Sequence, residues 1–147
     1  MGCDIHMITQ AKLADGQWHT IEIDTYGHRN YEVFGALSGV RSGRQVIAHP
    51  KGLPEDFKYT VRKEGGVYVK FGRQNFFLGE HSFNWLTVKE LLSYDWSPVV
   101  PLDDDQIDER VDYWDGGFRE IVINHLIYLE RFQFDKEHIR IVFGFDS

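Results

Sequence analysis

One cysteine, Cys3, occurs in the 147 residues, so no intramolecular disulfide can form and a reducing, cytoplasmic setting is expected. No apolar run approaches the roughly 18 residues that span a bilayer, and no charged segment followed by an apolar stretch of about 7 to 15 residues opens the chain. Membrane insertion and a secretory leader are therefore not expected. The opening Met-Gly-Cys departs from a myristoylation signal, because His6 stands where that signal requires Ser or Thr and no basic cluster follows. Positive charge is also short. Against 23 Asp and Glu there are 16 Lys and Arg, a net charge of −7 that repels a phosphodiester backbone and argues against a nucleic-acid polymer as partner. The His-x-x-x-His helix, the Cys-x-x-Cys pair, the Gly-x-Ser-x-Gly elbow and the P-loop are all missing, so zincin, zinc-ribbon, serine-hydrolase and NTPase readings lack support.

The composition that is present is that of a folded chain. With 42% hydrophobic and 15% aromatic residues, disorder is excluded, and residues 1–147 suit a single domain that buries about two-thirds of its unfolded surface. The most informative feature is the start. Asp4 and His6 lie two apart in a segment that reads as a β-strand, so they share one face while Cys3, Ile5 and Met7 share the other. Such a carboxylate can orient the imidazole, bind a metal beside it, or hold it protonated against a phosphate, and the spacing leaves these open.

Residues 3–13 and Gln17 to Asp24, joined by Asp15-Gly16, predict a β-hairpin with a two-residue type I′ turn. Asn30 is a suitable N-cap for a short helix carrying Tyr31, Phe34 and Leu37, with Gly39 placed to end it. Residues 41–56 read as a long loop holding Arg41, Arg44, His49 and the Lys51-Gly52-Leu53-Pro54 turn, and loops of that length in small domains are often functional. Val67 to Phe71 alternates as a strand behind the Gly65-Gly66 bend, while residues 57–63 fit either a helix or a strand. Thr87 and Glu90 form a capping box for a second short helix. His81 is expected just before it, where backbone donors would favour an anion.

Pro98 to Asp105 is an acidic connector whose Asp103-Asp104-Asp105 suits a solvated helix start better than a cation site. A long helix is predicted from Gly117 to Phe132, with Phe118, Ile121, Val122, Leu126 and Leu129 as its apolar stripe and a structural role for His125. His138 to Phe145 alternates strongly as a last strand. It is expected to pair with the first and to bring Asp146 near the sheet's end. The fold class is therefore α+β: a small antiparallel sheet of the N-terminal hairpin plus the C-terminal strand, covered by the long helix and two shorter ones.

Gly2-Cys3-Asp4-Ile5-His6, Arg29-Asn30-Tyr31 with Phe34, Gly52-Leu53-Pro54, His81-Ser82 with Trp85-Leu86-Thr87, and Val142-Phe143-Gly144-Phe145-Asp146 carry a resemblance spanning the whole chain. Together they resemble a family of small uncharacterised phage and bacterial proteins. The resemblance implies a phage-type protein in the host cell cytoplasm, and it marks positions without supplying a reaction. Relatives often carry His-Ser-His-Ser-Trp where this chain has His81-Ser82-Phe83-Asn84-Trp85.

The motif positions so marked are Asp4, His6, Arg29, Asn30, Tyr31, His81 and Trp85. Arg29 can clamp a phosphate, Asn30 can read a base edge or a ribose, and Tyr31 or Trp85 can stack on a base. Asp4, His6 and His81 are the candidate catalytic residues. The same residues also fit a structural role, with Arg29 and Asn30 capping the helix, Tyr31 and Trp85 filling the core, and Asp4 pairing with Arg29. The leading expectation is a small anionic nucleotide-derived ligand, bound so as to sequester a host immune signal, an idea that rests on the phage-type resemblance by analogy. A phosphodiester hydrolase using His/Asp acid–base or metal-assisted catalysis is the alternative, and a non-enzymatic interaction protein the third. Asp4-x-His6 is similar to the opening ligand pair of metallophosphoesterases, but the later Gly-Asp and Gly-Asn-His elements are absent. The sequence names no metal or cofactor and leaves self-association open.

Overall fold

The computed structural model describes residues 2–97 and 114–147. The acidic connector from Pro98 to Asp105 falls outside them.

The hairpin forms from β1 (Asp4–Lys12) and β2 (Trp18–Ile23). Its loop is longer than the two-residue turn expected. Leu13 O accepts from Gly16 N at 2.9 Å, Leu13 N donates to Gln17 O at 3.0 Å, and Gly16 alone in the loop has a positive φ, 75°. A type I′ turn needs positive φ at both central residues; here a type I turn is followed by a left-handed glycine, the usual three-residue solution.

The first helix, α1 (Tyr31–Ser38), is as expected. The Asn30 side chain accepts from the N–H groups of Glu32 and Val33, and Gly39 ends the helix at φ 72°. Beyond the loop, β3 (Thr60–Val61), β4 (Val67–Phe71) and β5 (Gln74–Gly79) make a three-stranded antiparallel sheet. Then β6 (His81–Thr87) runs directly into α2 (Val88–Leu92), whose capping box of Thr87 and Glu90 is formed. β7 (Ile139–Asp146) pairs with β1 along its full length, from Asp4 opposite Asp146 to Ala11 opposite Ile139, and with β6 on its other side. The resulting sheet has the order β2-β1-β7-β6.

Two cores lie on opposite faces of this sheet. Cys3, Ile5, Met7, Ile141, Phe143 and Phe145 pack against α1, α2 and the helical segment that precedes β7. Ile8 and Val142 pack on the other face against Val67, Val69 and Leu78 of the three-stranded sheet. β1 and β7 are thus central and covered on both sides, which is why nearly every residue of β7 is buried. Gly144 and Gly79 permit the close approach. A Cβ on Gly144 would meet the carbonyl oxygen of Leu78 and the Phe83 ring, and one on Gly79 would meet the β7 backbone.

The long helix expected from Gly117 to Phe132 is not formed. Gly116 and Gly117 have positive φ values of 55° and 88°, and the Asp115 side chain accepts from the N–H groups of Gly117 and Arg119. A π-helical stretch, Arg119–Ile123, comes first, then α3 (Asn124–Leu129) and a closing 3-10 turn, Glu130–Phe132. The run Ile121-Val122-Ile123 is β-branched, which crowds a regular α-turn, and the wider π-turn shifts the buried face by one position. Ile123 is therefore buried and Ile121 is exposed, the reverse of what a regular helix dictates. Among the described residues no helix is long and apolar enough to cross a membrane.

Candidate functional site

Asp4 and His6 do share a face, the one turned toward β5, where the His6 ring lies 4.8 Å from that of Phe77. The β1–β7 register sets His6 opposite Gly144 and Asp4 opposite Asp146. With no side chain at Gly144, His6 leans along the strand, and its Nε2 donates to Asp146 Oδ1 at 3.1 Å. Both side chains are only partly buried, 25% and 30% exposed, so the pair is reachable from solvent.

His81 arrives from the other neighbour of β7. It is the first residue of β6, paired with Phe145, and lies a full strand away from α2, not beside that helix. The expectation of an anion site at the α2 N-terminus is therefore overturned: the capping box satisfies the helix start, and His81 belongs to the sheet's end. A bulge between His81 and Asn84, with Ser82 at φ 56°, re-aims the side chain. His81 Nδ1 is 2.9 Å from Ser82 Oγ and Nε2 is 2.9 Å from Ser147 Oγ, and its ring stacks on Phe145. His6 and His81 are thus anchored to consecutive residues, Asp146 and Ser147, from opposite faces of the sheet.

Two guanidinium groups border the same end. Arg29 donates to both oxygens of Asp4, Nε at 2.7 Å and Nη2 at 3.3 Å, and lies over Gly2. This hydrogen bonding, reinforced by the guanidinium charge and by His6, holds the Asp4 carboxyl below its ordinary range. Arg41, at φ 63° just past the end of α1, sits 5.7 Å from the Tyr31 ring. Beneath them Cys3 is buried. Burial pushes its thiol up, while the Arg41 charge pulls the other way.

The remaining candidates have other duties. Asn30 caps α1 and donates from Nδ2 to Trp114 O at 2.9 Å, and the Tyr31 hydroxyl accepts from Cys3 N at 3.2 Å. Trp85 lies further along β6, on the face toward the three-stranded sheet, with Lys51 Nζ 3.6 Å from its ring. It is not part of the sheet-end cluster. Phe77, Arg41 and Ser147 are not among the expected site residues; Phe77 and Ser147 reach it through the β5 crossing and the β7 register, and Arg41 through the turn that follows α1, none of which local sequence reveals. His125 lies outside this cluster, with Nε2 2.6 Å from Glu22 Oε1.

Among the described residues no three His, Cys, Asp or Glu side chains are grouped so as to hold a metal ion. Compared with protein-family models, curated proteins and solved structures, the chain matches none.

Proposed function

We propose that the chain binds a small anionic, nucleotide-derived ligand at the end of the sheet where β1, β7 and β6 meet. The observation that carries this reading is the anchoring of two imidazoles, His6 and His81, to consecutive residues, Asp146 at the end of β7 and Ser147 just past it, with Arg29 and Arg41 at the same end of the sheet. Imidazoles and guanidiniums are the side chains that neutralise and hydrogen-bond a phosphate, and Phe77 and Tyr31 supply aromatic surface next to them. The overall charge of −7 favours a single small phosphate-bearing molecule over a polymer. In the phage setting implied by the sequence resemblance, such a protein would remove a nucleotide signal from its host.

The test is chromatography of cyclic oligonucleotides and ADP-ribose derivatives after incubation with the purified protein, before and after heat denaturation. One compound is expected to vanish from solution and return intact on heating, and His6→Ala and His81→Ala should each retain less of it. A panel left untouched overturns the reading.

A hydrolytic version draws support from the His6–Asp146 pair. There the braced imidazole takes a proton from water as its oxygen joins phosphorus, and a second acid gives one to the departing oxygen as the P–O bond breaks. It predicts new species after incubation, abolished in His6→Ala. A protein-binding version draws support from the exposed Tyr128 and Phe132, 49% and 63% accessible, and predicts that all of these histidine variants behave as wild type.

A further inference from the structure

On the face of the main sheet turned toward the smaller one, strand register lines up Thr20, Gln10, Arg140 and Thr87 across β2, β1, β7 and β6. Arg140 is only 2% exposed, an unusual burial for a guanidinium. Its Nε donates to Gln10 Oε1 at 2.9 Å, and the Gln10 amide is turned that way by its own donation to Thr20 Oγ1 at 3.2 Å. Trp18 lies over the guanidinium at 4.0 Å and Trp85 at 5.3 Å, so the charge is clamped between two indoles.

The charge is nevertheless under-paired. Among the described residues its one ion pair is a single contact, Nη2 to Asp56 Oδ1 at 3.2 Å, with a carboxylate that is 50% exposed on the irregular loop. A buried arginine is best satisfied by a two-oxygen fork, and among the described residues Nη1 has no protein hydrogen bond. The group lines an open concavity of about 430 Å³ whose walls include Trp18, Lys51, Asp56 and Trp85, and a second of about 630 Å³ adjoins it through Trp18 and Asp56. Lys51 Nζ, which donates to both Glu90 oxygens at 2.8 and 3.1 Å, also lies against the Trp85 face at the rim.

We propose that this concavity is an oxyanion site, in which a carboxylate or phosphate group of a small ligand forks onto Arg140 beside Lys51 and takes the place of the Asp56 carboxylate. Glu55 and Asp56 on the same rim disfavour a polyanion. The ligand therefore carries one anionic group on a flat or apolar body that lies against the tryptophans. This site is separate from the sheet-end cluster and accounts for Trp85, which that cluster leaves out.

Benzoate, phenyl phosphate and inorganic phosphate are the probes, each titrated against chloride at equal ionic strength while the indole N–H signals of Trp18 and Trp85 are followed by NMR. Both signals are expected to move. The apparent affinity should rise about ten-fold or more in Asp56→Asn, which keeps the loop's shape but frees Arg140, and fall at least five-fold in Lys51→Ala. His6→Ala should leave it unchanged, which separates this site from the one proposed above. Preference for benzoate or for phenyl phosphate tells a carboxylate ligand from a phosphate one. Indole signals that do not move in wild type and in Asp56→Asn, that move equally with chloride, or an affinity unaffected by Asp56→Asn would overturn the proposal.

Discussion

His6 Nε2 donates to Asp146 Oδ1 across the β1–β7 pair at 3.1 Å, and the next residue, Ser147, holds His81. The Asp146 contact fixes the His6 tautomer, since a carboxylate only accepts and the proton must sit on Nε2. Long-range proton–nitrogen spectra of the neutral imidazole should show His6 as the Nε2–H form. Asp146→Asn should weaken retention of the ligand found in the nucleotide panel by about ten-fold while leaving the melting temperature within a few degrees, because both side chains are partly exposed. A His6 found with its proton on Nδ1 contradicts the pairing.

The Asp4–Arg29 fork gives a pH prediction of definite sign. Hydrogen bonding to Arg29 lowers the Asp4 carboxyl in the folded chain. Its contribution is therefore present above the unfolded carboxylate value of about 3.9 and is lost as pH falls through the lower, folded value. Carboxyl carbon titration by NMR should find Asp4 below the other exposed aspartates. Arg29→Gln should return it toward the ordinary range; a midpoint that Arg29→Gln does not change contradicts the contact.

Cys3 lies buried near Arg41, Asp146 and Asp4, and burial raises its thiol. Alkylation at pH 8 should run at least about ten-fold slower than for a free cysteine and reach the normal rate on denaturation. Arg41→Gln should slow the folded reaction further, because the counteracting positive charge is gone. A fast reaction in the native protein would show the thiol accessible.

Gly144→Ala should destabilise the fold by about 1–3 kcal/mol, since the added methyl meets the Leu78 carbonyl and the Phe83 ring where β5 crosses β7. Urea unfolding measures this. A substitution at the exposed Gly43, where a Cβ meets nothing, serves as the control. Equal midpoints for the two variants would mean that the sheets do not approach at Gly144.

The pattern of single elements was readable because their periodicity and caps are local. Asn30, Gly39, the Thr87–Glu90 box and the alternation of β7 all lie where the sequence implies. Even the β1–β7 pairing, with Asp146 at the sheet's end, followed from edge strands needing partners. The second sheet was harder to foresee. The alternation of Val67 to Phe71 implies its strand β4, but that this sheet covers the main one is signalled by little more than apolar Ile8 and Val142 on strand faces that otherwise carry Gln10 and Arg140, and two residues do not distinguish a covered face from a solvated one. In the sequence His81 reads as part of a helix start because β6 runs into α2 with no intervening loop, so the capping signal at Thr87 conceals the strand before it. The π-turn over Arg119–Ile123 has no distinguishing residue beyond its β-branched run.

The central pairing of β1 with β7 also bears on how the chain comes to be folded. His6 and Asp146 are separated by 140 positions, so the sheet-end cluster cannot exist until β7 has been made. During synthesis the first hairpin must wait with one edge of β1 unpaired, a surface open to wrong partners, and the non-local closure that ends the wait is slow by nature. A refolding rate slower than that of a chain dominated by local contacts is the expected consequence of this topology.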